Sequence, residues 1–182
     1  HNAQAAVAAA LAVGAPLTSI GQGLSQFTPV AGRSQRHALH HQGRVIHLID
    51  DSYNANPDSV QAAIDVLAQS AGPRLLVLGD MGEVGSQGPA FHAEAGAHAH
   101  AAGIEHVLTL GELARHTAQA CPEATHMDSM ATLQNAVLSA LPNITTVLVK
   151  GSRFMHMERV VQTLLQLNQA QAPLHPQETP CC

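Results

Sequence analysis

The chain has 182 residues, 46% of them apolar, enough for one domain with its own core plus a small appendage, which excludes a disordered polymer. Aromatics make up 2%, Trp is absent and the formal charge is -5 with only 8 Lys plus Arg, so neither a base-stacking platform nor a phosphate-backbone binder is expected. No apolar run reaches membrane-spanning length, no signal-type segment opens the sequence, and three Cys make no disulfide framework, all of which fits a reducing cytoplasm without membrane insertion.

His1 to Val13 is Ala-rich and unbroken, and reads as a helix stopped by Gly14. Pro16 to Leu24 reads as a second short helix, with Leu17, Ile20 and Leu24 at helical spacing. Thr28 to Arg33 is a Pro/Gly connection and the candidate domain boundary. Because the sequence opens inside a helix at His1, residues 1–31 are expected to be the tail of a preceding domain. His37 to His41 is predicted to pair with Arg44 to Ile49 as a hairpin across Gln42-Gly43. The next helix takes Asn56 or Asp58 as cap, Pro57 in its first turn and Gly72 as its stop.

Arg74 to Leu78 is a short apolar run between Pro73 and Gly79, hence a buried strand. A Gly-rich loop and a helix from Pro89 to Ala102 follow. Then come a strand over His106–Leu110, a helix over Gly111–Ala120 and a short strand over Thr125–Met127. A helix over Ser129–Leu141 is capped by Asp128, and Thr145–Val149 is a β-branched strand. The last helix is predicted over Arg153–Leu167, with Met157, Val160, Val161, Leu164 and Leu165 on its apolar face. Residues 169–182 carry three Pro and no periodicity, and read as a loose tail.

Alternating strands and helices from Val45 to Leu167 imply an α/β domain, a mostly parallel sheet with helices on both faces. In such sheets the loops leaving the carboxyl ends of the strands form the ligand rim. Three of these loops stand out. Asp50-Asp51-Ser52-Tyr53-Asn54-Ala55-Asn56-Pro57-Asp58 is dense in side chains of fixed polar reach, although the same residue types also build a capped turn. Gly79-Asp80-Met81-Gly82-Glu83-Val84-Gly85 is neither a dinucleotide fingerprint nor a Walker loop, and reads either as a surface loop or as a site where Asp80 and Glu83 hold an ammonium group or a metal-bound water. Lys150-Gly151-Ser152-Arg153 combines a point charge, a hydroxyl and a guanidinium at a predicted helix start, which suits an anion; the plainer reading pairs both cations with nearby acids. The spacing of the 13 His does not suit zinc, and Cys121 has no evident partner for nucleophilic chemistry, so neither a metal site nor a catalytic residue is assigned.

Taken in order, His1-Asn2, Gly32-Arg33, Asp50 to Pro57, Leu78 to Glu83 and Val149 to Arg153 resemble the Mur ligases. Each motif is weak alone; five in order span nearly the whole chain. The resemblance is to the members that add D-alanyl-D-alanine to a UDP-N-acetylmuramoyl-tripeptide during peptidoglycan synthesis. It implies a Rossmann-like C-terminal domain over 32–168, preceded in 1–31 by the helical end of the central ATPase domain. The reaction it implies activates a peptide carboxylate with ATP as an acyl phosphate, which the dipeptide amine then attacks. ATP and Mg2+ would be held mainly by the central domain, whose phosphate loop is not in this sequence, so the chain alone is expected to be inactive. By resemblance Asn2 lies near the adenine, Arg33 faces the ATP phosphates and Asp51 the ribose. Asp80, Lys150, Ser152 and Arg153 lie on the dipeptide side, with Tyr53, Asn54 and Asn56 lining the space between. The family's second Asn, three residues after Asn2, is Ala5 here, with Gln4 beside it. The alternative from the residues alone is a stand-alone nucleotide- or anion-binding module.

Overall fold

A computed structural model describes residues 2–27 and 30–170, without the side chains of 2 and 168–170. Contacts divide the chain into two units, His1–Val30 and Ala31–Cys182. The first unit holds helices α1 (Asn2–Ala12) and α2 (Leu17–Ser25). None of their described side chains is buried, and Leu11, Leu17 and Leu24 are among those left exposed.

The second unit is built on one six-stranded sheet. The predicted hairpin forms as β1 (Gln35–His41) and β2 (Arg44–Asp51), paired antiparallel with His41 opposite Arg44. The remaining strands are β3 (Arg74–Gly79), β4 (His106–Leu110), β5 (Ala124–Met127) and β6 (Thr146–Lys150). Their spatial order is β1-β2-β6-β3-β4-β5, and every pair after the first is parallel. Helices α3 (Pro57–Ala68), α4 (Gly88–Ala101), α5 (Ala114–Ala120), α6 (Met130–Ala140) and α7 (Glu158–Ala170) connect or follow the strands.

Strand alternation feeds two separate cores. Leu75, Val77, Val147 and Val149 face the helices α6 and α7, packing with Leu133, Val137, Val160 and Leu164. Leu76, Leu78, Val107 and Leu148 point the other way, onto Val60 and Ile64 of α3 and Ala95 and Ala99 of α4. A strand buried on both faces calls for apolar side chains on both, which is why Leu75–Leu78 of β3 and Val147–Val149 of β6 are continuous apolar runs.

Four boundaries differ from the sequence reading. Helix α3 ends at Ala68, with Gln69 as its C-cap, rather than running to Gly72. Ser129, not Asp128, caps α6: its hydroxyl accepts the Thr132 N–H in a reciprocal capping box. Helix α5 begins at Ala114 and not at Gly111. The last predicted helix is broken: Arg153–Met155 form a 3₁₀ turn, His156 is left-handed at φ 51°, and α7 starts at Glu158. The Lys150–Arg153 loop therefore does not lie at the N-terminus of α7, which removes the helix-end donors expected for an anion there. Of the proposed tail, residues 169 and 170 continue α7 and the remainder lies outside the described residues.

Candidate functional site

Strand β6 lies between β2 and β3, and the chain leaves β3 and β6 toward opposite faces, to α4 and α7. In open α/β sheets such a reversal, at the carboxyl ends of the strands, is where ligands bind. The ladder sets the loops level with one another: Asp51 pairs with Lys150, and Lys150 with Leu78. The three loops singled out in the sequence therefore meet on one rim.

The rim has two layers. In the inner one the polar groups are bonded to each other, and Asp50, Ser52, Asp80, Lys150 and Ser152 are buried. Asp50 Oδ2 accepts the Gly32 N–H at 3.1 Å, and its Oδ1 accepts the Ser52 hydroxyl at 2.6 Å. Asp51 Oδ1 accepts both the N–H and the hydroxyl of Ser34, at 2.9 and 3.0 Å. Asp51 Oδ2 accepts Lys150 Nζ at 2.6 Å, and the same ammonium donates to the Asn54 carbonyl at 2.9 Å. Lys150 is 2% exposed, so of the two readings of its loop the ion pair holds for this residue.

Ser152 ties the other two loops together. Its hydroxyl donates to the Ala55 carbonyl at 3.0 Å and accepts the Gly82 N–H, while its own N–H donates to the Asp80 carbonyl at 2.9 Å. Gly151 is needed for the approach, since a Cβ there would lie 2.5 Å from Met157 Cγ. Asp80 is 7% exposed, and its Oδ1 accepts the Ala114 N–H at 2.7 Å, which is why α5 starts there. His92, on α4, fixes the next peptide. Its Nε2 accepts the Met81 N–H at 2.9 Å, so Nδ1 carries the proton and donates to the Gly88 carbonyl at 2.7 Å. Burial pushes the His92 pKa below the ordinary histidine value, keeping this bonded neutral form.

The outer layer is exposed. The Arg33 guanidinium lies 4.2 Å from the centre of the Tyr53 ring, and that of Arg153 lies 5.4 Å from the same centre. Among the described residues neither guanidinium has a carboxylate partner within 4.0 Å. Asn54 is exposed beside them, whereas Asn56 spends its side chain capping α3 by accepting the Ser59 N–H. The side chain of Asn2 lies outside the described residues. Neither the work of Asp50 at this rim nor that of His92 is legible in the sequence. Asp50 differs from Asp51 only by the face of β2 it occupies, and nothing local ties His92 to Met81. Among the described residues no three His, Cys, Asp or Glu side chains are grouped to hold a metal. Burial pushes the Cys121 thiol up to about 11, so it offers no thiolate at neutral pH.

A family model described as "Mur ligase, glutamate ligase domain" matches residues 32–153. The chain belongs to the Mur ligase family. Among curated relatives it is 41% identical over 165 residues to the UDP-N-acetylmuramoyl-tripeptide–D-alanyl-D-alanine ligase of Escherichia coli (strain K12), covering 90% of this chain and 36% of that protein. The ligase of the same name from Haemophilus influenzae is 35% identical over 169 residues, again 90% of this chain and 36% of the relative. A crystal structure of MurF from Acinetobacter baumannii superposes with a TM-score of 0.79 at 32% identity, covering 91% of this chain and 36% of that one. The Mur ligase chain described here thus spans about a third of the length of the relatives it matches.

Proposed function

We propose that this chain is the carboxyl-terminal part of an ATP-dependent amide ligase that adds D-alanyl-D-alanine to UDP-N-acetylmuramoyl-tripeptide in the cytoplasm, for peptidoglycan synthesis. The observation that carries the reading is the meeting of Asp51, Asp80 and Arg153 on one rim, in a chain whose relatives bear that name. On this reading residues 32–168 are the C-terminal domain and 1–31 the end of the central one. The unburied helices α1 and α2, with their exposed Leu side chains, support that division, since such a pair has no core of its own.

The geometry sorts the roles. ATP supplies the phosphoryl group that turns the tripeptide carboxylate into an acyl phosphate. Arg33, exposed and without a carboxylate partner among the described residues, faces its phosphates. A carboxylate has about four acceptor positions; Asp51 fills three internally, which leaves one on Oδ2 for a ribose hydroxyl. Arg153 takes the free carboxylate of the dipeptide, for which a planar guanidinium is suited. The Oδ2 of Asp80, to which none of the described residues donates, is the acceptor for the dipeptide ammonium. Lys150 and Ser152 act from beneath, holding the loops in register. Among the described residues no three His, Cys, Asp or Glu side chains are grouped to hold Mg2+, and that ion is left to the part of the enzyme outside this chain.

A chimera in which this chain replaces the matching third of the Escherichia coli relative tests the reading. Phosphate release should require ATP, tripeptide nucleotide and D-alanyl-D-alanine together, and the 182-residue chain alone should give none. In the chimera Arg153→Ala should raise the KM for D-alanyl-D-alanine more than that for ATP; equal effects on both count against the assignment. A free-standing nucleotide-binding module would instead bind ATP saturably as the isolated chain.

A further inference from the structure

Two cations share one aromatic face system at the rim, and they come from separate parts of the chain. Arg33 precedes β1, Tyr53 follows β2, and Arg153 follows β6. Each is rooted by backbone contacts rather than by chance side-chain placement. The Tyr53 N–H donates to the Gly32 carbonyl at 2.9 Å, setting the ring beside Arg33, and Ser152 fixes the peptide that carries Arg153. The guanidinium centres lie 4.2 and 5.4 Å from the ring centre, so they are no further apart than the sum of those distances, of the order of the Debye length in ~0.1 M salt. Like charges that close repel, and long exposed side chains would separate into solvent. The negative face of the ring opposes that separation. Among the described residues the phenol hydroxyl has no hydrogen-bond partner, and Tyr53 stands 40% exposed, so it is the face of the ring that is used.

We infer that Tyr53 is a positioning residue for both arms of the site, holding Arg33 and Arg153 toward their anions through its ring and not through its hydroxyl. This rests on the ligase reading for which ligand meets which arginine: a polyphosphate at Arg33 and the carboxylate of a dipeptide at Arg153. It predicts that one substitution weakens two chemically unrelated ligands in the same way, which a residue lining only the dipeptide would not do.

The chain carries its own reporter, because Tyr53 is its one tyrosine and there is no Trp. Tyrosine emission of the 182-residue chain should change in Arg33→Met and in Arg153→Met. In the chimera with the Escherichia coli relative, binding of inorganic triphosphate and, separately, of D-alanyl-D-alanine should then be followed by titration calorimetry with the unsubstituted chain, Tyr53→Phe and Tyr53→Leu. The expected result is unchanged affinity for both ligands in Tyr53→Phe and a loss of about two- to five-fold for both in Tyr53→Leu, the bias an exposed cation–ring contact supplies. Equal affinities in all three proteins overturn the inference while leaving the ligase reading intact. So does a loss in Tyr53→Phe as large as in Tyr53→Leu, which would assign the work to the hydroxyl. If triphosphate follows the expected pattern and D-alanyl-D-alanine binds none of the three, the ring's role at Arg33 stands and the dipeptide assignment falls. No response to either ligand overturns both.

Discussion

Lys150 and Arg153 lie three residues apart at the end of the same strand, and the protein uses them in opposite ways. Lys150 is sealed beneath the rim, with its ammonium spent on Asp51 and the Asn54 carbonyl. Arg153 stands in solvent, over the face of Tyr53. The same division runs through the whole site: Asp50, Asp51, Ser152 and Asp80 bond inward, while Arg33, Tyr53 and Asn54 face out. The difference teaches that the buried polar groups buy rigidity for the exposed ones. A guanidinium on a loop positions an anion only if the loop itself is held.

Substitutions should therefore separate stability from binding according to layer. The largest effect is expected for Lys150→Met, which strips Asp51 of its buried partner. Removing one member of a buried pair costs about 3 kcal/mol or more, read as a lowered urea midpoint, and a midpoint unchanged from wild type would erase the distinction. Next is Gly111→Ala. Gly111 has φ +120°, and a Cβ there would sit 2.3 Å from Asp80 Oδ1, so a loss of about 2 kcal/mol is expected from backbone strain and displacement of that carboxylate. Ser152→Ala leaves the half-buried Gly82 N–H without its acceptor and should cost about 1–2 kcal/mol, with faster amide exchange at Gly82 as the local sign.

The pH dependence is gentler. His92 has a folded pKa below the ordinary 6.5. As the pH falls beneath 6.5 the unfolded chain takes up this proton first, so the stability from neutral His92 is complete above that value and is lost on acidification. Unfolding measured from pH 7 to 5 should show a shallower slope in His92→Gln than in wild type. The smallest structural effects belong to the outer layer. Arg33→Met and Arg153→Met should change stability by less than about 0.5 kcal/mol while weakening anion binding; a large stability loss in either would merge the two layers into one.

Much of the fold was legible because its signals are local. The turn Gln42-Gly43 marks the hairpin, His106–Leu110 is bounded as read, and Asn56 before Pro57 announces α3. The misreadings share a different cause. Helix α5 starts at Ala114 because a carboxylate 34 residues away caps it. The break at His156 has no Gly or Pro to signal it, and it brings Met157 into the core against Gly79 and Gly151. At the site, the kinds of charge could be read from the residues but not their burial. Lys150 and Arg153 look equally available until the fold decides which of them meets an acid.

The position of β6 has a consequence for how the chain is made. Strands β2 and β3 follow one another in sequence yet share no hydrogen bonds, since the slot between them belongs to residues 146–150. A polypeptide emerging in order must wait, with two apolar strands unjoined, until nearly all of this domain has been synthesised. Cooperative closure of the sheet is thus deferred to its last strand, and a nascent chain arrested before residue 145 should remain protease-sensitive where one a few dozen residues longer would resist.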